Sequence, residues 1–234
     1  MRSVVRTFFQ FFALLYIASL SGQLALAGDF EDGVAFYEDE HYVAAFAAFS
    51  KAAAKGNADA QFNLGMMYVN GEGTQRDYKK AMALYLESAE QDNVRAQVNL
   101  GRMYAKGLGV TQNYGQAISW YKKAAEAGYA DAQYSLGVIY ASGIGARQDF
   151  RMALYYFQQA ADQGNASAQY NIGQMYFKGN GVKLDYVEAY KWFTLAGSYN
   201  DAVFYRQYAE RKMSKEQIAD AKRLAAEWKP ETEK

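Results

Sequence analysis

From residue 58 onward, apolar positions fall at helical spacing in two successive stretches. Leu64, Gly65 and Tyr68 share a stripe on a segment from about Ala58 to Asn70, and Tyr78, Ala81, Tyr85 and Ala89 share one from about Tyr78 to Gln91. Steps of three and four residues place these side chains on one face of a helix, so the pattern predicts two amphipathic helices, A then B. Gly71-Glu72-Gly73 interrupts the pattern between them. Glycine reaches left-handed backbone angles without a Cβ clash, so helix A is expected to stop there and the chain to turn.

The couplet then repeats. Ala60-Gln61-Phe62-Asn63-Leu64-Gly65 returns as Ala96 to Gly101, as Ala132 to Gly137 and as Ala168 to Gly173, each 36 residues after the last. Tyr68, Tyr104, Tyr140 and Tyr176 keep the same step, as do Ala81, Ala117, Ala153 and Ala189, and the turns read GEG, GLG, GIG and GNG. Gly128 and Gly164 close later B helices, while Asp92 and Asn200 hold that column elsewhere; both types tolerate the left-handed angle better than most. A single couplet cannot bury its apolar stripe, but stacked couplets can, giving an all-α solenoid of helix pairs with Leu64, Leu100, Leu136 and Ile172 as an inner spine. The Gly65 and Ala81 columns let helices approach closely, and the Tyr68 and Tyr85 columns fill the space beside them.

The repeat weakens at both ends. Gly33, Phe36, Tyr42, Ala45, Phe49 and Ala52 keep the order but shorten the inter-helix turn by four residues. Residues 28–57 therefore form an N-terminal helix pair in this reading. Four repeats occupy about 58–93, 94–129, 130–165 and 166–200, then capping helices over 201–228 and a disordered tail over 229–234. Ser214-Lys215-Glu216-Gln217 is a capping-box signal that opens the last helix.

Residues Ala96 to Gly128 resemble the Sel1-like repeat, a relative of the tetratricopeptide repeat, through the pattern A-x-x-x-L-G-x-x-Y-x-x-G-x-G-V, then an aromatic after the cap and A-A-x-x-G at the end; Asn113 stands where Asp is usual. The likeness covers 58–200 strongly and implies a right-handed solenoid of antiparallel helix pairs with a C-terminal capping helix. It also implies an adaptor role in envelope signalling, assembly or host contact.

Residues 1–27 read differently. Arg2 and Arg6 precede a 14-residue apolar run from Thr7 to Leu20, and the segment closes on Ala25-Leu26-Ala27. Charged start, short apolar middle and A-x-A end describe a secretory signal peptide. The run would span ~21 Å as a helix, short of a ~30 Å hydrocarbon core. Cleavage after Ala27 is expected, leaving no stable membrane span and a periplasmic or secreted protein. Residues 28–234 carry 23 basic and 25 acidic side chains.

Composition narrows the chemistry. Of 234 residues 51% are hydrophobic, and 25 basic residues balance 25 acidic ones, which argues against disorder and against nucleic-acid binding through a large positive field. With no cysteine and one histidine, His41, thiolate sites and His-based triads are excluded or improbable. No metal and no cofactor are expected. The Gly-x-Gly turns come after helices, so they read as helix stops rather than phosphate cradles. Ser119-x-x-Lys122 lacks the companion motifs of penicillin-recognising enzymes. His41 sits in the cap column of Asp77, Asn113, Asp149 and Asp185, and reads as a cap substitute. Glu31, Asp32, Glu38, Asp39 and Glu40 read as a solvated acidic face. No catalytic residue is assigned.

One stripe of helix A varies while the packing columns do not. It comprises Asp59, Phe62, Met66 and Val69, then Arg95, Val98, Arg102 and Ala105, then Asp131, Tyr134, Val138 and Ala141, then Ser167, Tyr170, Gln174 and Phe177. Scaffold demands are common to every repeat, so divergent columns are free for recognition. The mixture of aromatic, Met and Arg suits a protein interface. The expected function is an exported, non-enzymatic scaffold that binds a protein or peptide on its concave face through Phe62, Met66, Arg95, Arg102, Tyr134, Tyr170 and Gln174, with the two arginines selecting acidic features. The alternative is a carbohydrate- or peptidoglycan-binding envelope protein that stacks sugars on exposed tyrosines, with weak hydrolase activity.

Overall fold

The computed structural model describes residues 28–230, all helix and turn with no strand among them. The expected signal segment and the last four residues of the expected tail lie outside the described residues. Helix α1 covers 28–38, followed by α2 (Tyr42–Ala54), α3 (Ala58–Asn70), α4 (Tyr78–Ala89), α5 (Val94–Lys106), α6 (Tyr114–Glu126), α7 (Ala130–Ser142), α8 (Phe150–Asp162), α9 (Ala166–Lys178), α10 (Tyr186–Leu195), α11 (Ala202–Glu210) and α12 (Lys215–Glu227). Odd-numbered helices are the A helices and even-numbered ones the B helices. The chain divides into two compact units, one reaching Leu100 with Leu108–Val110, the other comprising Gly101–Gly107 and everything from Thr111. The expected spine is buried in each: Leu64 and Leu100 in the first, Leu136 and Ile172 in the second.

Each pair is held by one steric device. Gly65 faces the ring of Tyr85, and a Cβ on it would come within 2.7 Å of that ring. Gly101 stands likewise against Tyr121, Gly137 against Phe157 and Gly173 against Phe193. The missing methyl lets an aromatic ring from helix B press against the backbone of helix A. The small column and the large column are therefore two halves of one contact.

The turns are built as the glycines predict, with an addition. Gly71 ends α3 at φ +78°, in the left-handed region, and its N–H bonds the Met67 carbonyl at 2.8 Å. Gly73, also at positive φ, does something else: a Cβ there would collide with the Tyr42 carbonyl at the start of α2. Gly109 sits in the same way on Tyr78 in the first unit, and in the second Gly145 sits on Tyr114 and Gly181 on Phe150. The second glycine of each turn thus seats one pair on the one before. The turn closes when the N–H of Asp77, Asn113, Asp149 or Asp185 donates to Tyr68, Tyr104, Tyr140 or Tyr176 at 2.9–3.0 Å. The side chains of those four residues then cap the B helices. His41 occupies the cap position of α2 but makes no side-chain cap bond.

The C-terminal end follows its sequence signal. Ser214 and Gln217 form a reciprocal capping box at the start of α12. This helix packs on α10, burying Ala221 and Ala225.

Candidate partner-binding surfaces on the A helices

In the first unit two residues of the varying stripe, Met66 and Arg95, line a cavity of about 290 Å³. Its walls are Phe30, Val34, Tyr37 and Glu38 from α1 and Asn63 and Met66 from α3, with Phe49 and Arg95 completing the lining. Arg95 is fixed rather than free. Its Nη2 donates to Asp59 Oδ1 at 2.7 Å, and its guanidinium lies 4.6 Å from the centre of the Phe62 ring. Asp59 also accepts from Asn93 Nδ2 at 3.0 Å. Phe62 itself is only 6% exposed and packs against Tyr85, so it is a floor beneath Arg95. Tyr37 donates its hydroxyl to Glu72 Oε2 at 2.9 Å. Burial first, and then this carboxylate, push the phenol up to about 12.

A second cavity, of about 280 Å³, lies within the second unit, lined by Ala105 of α5, Tyr114 and Tyr121 of α6, Tyr134, Ser135, Val138, Ile139 and Ser142 of α7, and Ile144. It is the same place in the repeat. Asn63, Met66 and Phe49 become Ser135, Val138 and Tyr121 after a shift of 72 residues. Burial raises the pKa of Tyr121, with Arg102 and a hydrogen bond to Ser135 pulling the other way. Burial likewise raises Tyr134, whose hydroxyl lies among Tyr199, Asn171 and Ser167.

The seven residues singled out in the sequence therefore separate. Met66 and Arg95 line the first cavity and Tyr134 the second, while Arg102 is exposed beside Tyr121. Tyr170 accepts from Gln174 Nε2 at 3.2 Å and packs on Phe193, Tyr199 and Tyr205. It therefore helps to hold α11. Gln174 Oε1 is buried without a partner among the described residues. Sequence reasoning missed Phe30, Val34 and Tyr37. Stepping 32 rather than 36 residues back from Phe62, Met66 and Val69, in line with Gly33 for Gly65, finds them.

Among the described residues, no cluster of His, Asp or Glu could hold a metal ion, and no helix is long and apolar enough to cross a membrane.

The model of the Sel1 repeat matches residues 58–93, 94–129, 130–165 and 166–198, more than half of the chain. The chain belongs to the Sel1 repeat family. Sel1 repeat proteins are generally scaffolds for protein interaction, built on a non-catalytic helical repeat. A Sel1 repeat protein from Oxalobacter formigenes is 30% identical and superposes with a TM-score of 0.72, over 85% of this chain and 82% of that one. A sel1 repeat protein from Klebsiella pneumoniae subsp. pneumoniae (22% identity, TM-score 0.52, 79% of this chain and 93% of that one) shares the fold. So does an immunity protein from Pseudomonas aeruginosa (20% identity, TM-score 0.50, 83% of each chain). No curated protein matches the chain significantly.

Proposed function

We propose that this Sel1 repeat protein is an exported scaffold that docks a partner polypeptide on the A-helix surface of its units. One observation carries the reading: a diverging column, Met66 in the first unit and Val138 in the second, lines a cavity at the same register position in each, with Arg95 beside the one and Ala105 and Tyr134 beside the other. The recurring Ala60, Leu64, Gly65 and Ala81 columns are buried in packing. Met66 and Arg95 serve the first surface. Arg102, Tyr134 and Val138 serve the second, where the exposed guanidinium of Arg102 favours a carboxylate on the partner. The pattern of residues 1–27 supports export.

A photo-crosslinking amino acid placed singly at Met66, Val138 or Leu86 tests the docking face. Val138 is 38% exposed on an A helix and Leu86 is 39% exposed on a B helix, so these two positions are matched in accessibility. Crosslinked partner from positions 66 or 138 and none from 86 is the expected result; adducts from 86 alone would refute it. Mass spectrometry of the protein recovered from the cell envelope should find an N-terminus at Gly28.

A further inference from the structure

The cavity of the first unit has room for one large apolar side chain, about 290 Å³, at the lower edge of the ~300–1,000 Å³ typical of ligand pockets. Phe30, Val34, Phe49 and Met66 supply an apolar wall. Such a wall takes many hydrophobic side chains, so the identity of the partner must come from what surrounds it.

The surroundings are negative. Residues 28–57 carry six carboxylates against two lysines, a formal −4, whereas residues 58–230 carry 17 acidic and 20 basic residues, a formal +3. Of the six, Asp29 is matched by Lys55 at 2.6 Å. Glu38 lines the cavity, and Glu31, two helical turns earlier on α1, is exposed on the same stripe. Glu72 is held at Tyr37, another lining residue. Arg95, the cation of the lining, is already paired with Asp59 at 2.7 Å, so the two add no net charge. A carboxylate approaching Arg95 would have to compete with Asp59 and pass the glutamates.

We propose that this cavity receives an apolar side chain from a cationic segment of the partner polypeptide, whose flanking lysines or arginines face Glu31 and Glu38. The inference rests on the docking reading above and adds the chemistry of the partner. Complementary charge raises the rate of encounter and rejects acidic competitors more than it adds affinity. The apolar anchor supplies most of the binding energy.

Fluorescence anisotropy on the full chain tests this with labelled seven-residue peptides. Each carries a central Phe, Leu, Met or Ala flanked on both sides by three lysines, or by three glutamates. The lysine-flanked Phe, Leu and Met peptides should bind, with the Ala peptide roughly tenfold weaker. The double variant Glu31→Gln/Glu38→Gln should bind them about three- to tenfold more weakly. That difference should shrink at about 0.5 M salt. Both glutamates are exposed, so the variant keeps its fold, and its circular dichroism should match the wild type. Lysine-flanked peptides that fail to bind, glutamate-flanked peptides that bind as well, or binding indifferent to the double variant would each overturn the proposal. Crosslinking at Met66 and Val138 would survive all three, so this inference and the docking reading fail separately.

Discussion

Gln163 donates its side-chain amide to Oε1 of Gln133 at 2.8 Å, reaching from the end of α8 to the buried face of α7. The first unit repeats the bond: Gln91 donates to Gln61 Oε1, also at 2.8 Å. Gln133 is 4% exposed, and its own amide donates to the Ala125 carbonyl at 3.4 Å. Gln163→Ala should therefore strand a buried acceptor and cost about 1–2 kcal/mol, read as a lower midpoint in urea. The donor column holds Gln91 and Gln163 but Ala127 between them. Gln97, whose partner column this is, keeps a buried Oε1 without a partner among the described residues.

Gly137→Ala tests the interlock of pairs. Helix propensity alone favours alanine by about 1 kcal/mol. Against this, the new Cβ would stand 2.5 Å from Cδ1 of Phe157, a ring that is 1% exposed and has nowhere to go. Overpacking of this kind costs about 1–3 kcal/mol, so the net effect is destabilising. Adding Phe157→Leu should recover part of the loss in a double-mutant cycle.

Asp92→Gly should stabilise the chain. Asp92 ends the B helix of its repeat at φ +60°, where Gly128 and Gly164 hold the equivalent position at +85° and +82°. Relieving a non-glycine residue of left-handed geometry gains up to about 1 kcal/mol, less the entropy that glycine adds to the unfolded chain. Thermal denaturation should show a small rise in midpoint.

Tyr37 makes the stability sensitive to alkali. Its phenol is raised to about 12 from 10.0, so the folded state holds that proton more tightly than the unfolded chain. The stabilisation is complete below pH 10 and disappears as pH rises through about 12. Tyr37→Phe should lose less stability than the wild type across that window. Glu72→Gln should lower the pH at which Tyr37 ionises, measured by ultraviolet absorbance. A Tyr37 ionisation unmoved by Glu72→Gln would show that the hydrogen bond does not hold the proton.

Much of the architecture is legible in the sequence because each repeat restates it. The spacing marks helix A of the first full repeat as Ala58 to Asn70, and α3 has those bounds. Helix B ends two residues earlier than the pattern reads, at Ala89, because Gln91 already bonds back to Ser88 at 3.1 Å in a tighter turn. The candidate stripe on the A helices is less legible. Phe62 lies in it by register, yet Arg95, one repeat later, folds over its ring; two divergent positions cover one another. The share of α1 in the first cavity is hidden by the shortened turn, which moves the stripe four residues out of step. The seating of Gly73 on the backbone of the preceding pair is a tertiary contact that no local pattern signals.

That seating fixes something the side chains do not. Where the second glycine of a turn abuts main-chain atoms, as at Tyr42 and Tyr78, the spacing between successive couplets is set by the thickness of the peptide backbone. No rotamer change can absorb an added atom there. A bulkier residue at Gly73 or Gly109 would meet the main chain of Tyr42 or Tyr78, and the turn does not accept it. The exposed members of the varying stripe, Arg102 and Val138 among them, are then free to diversify, because at Gly73 and Gly109 the frame that carries them takes its dimensions from main-chain atoms every amino acid has in common.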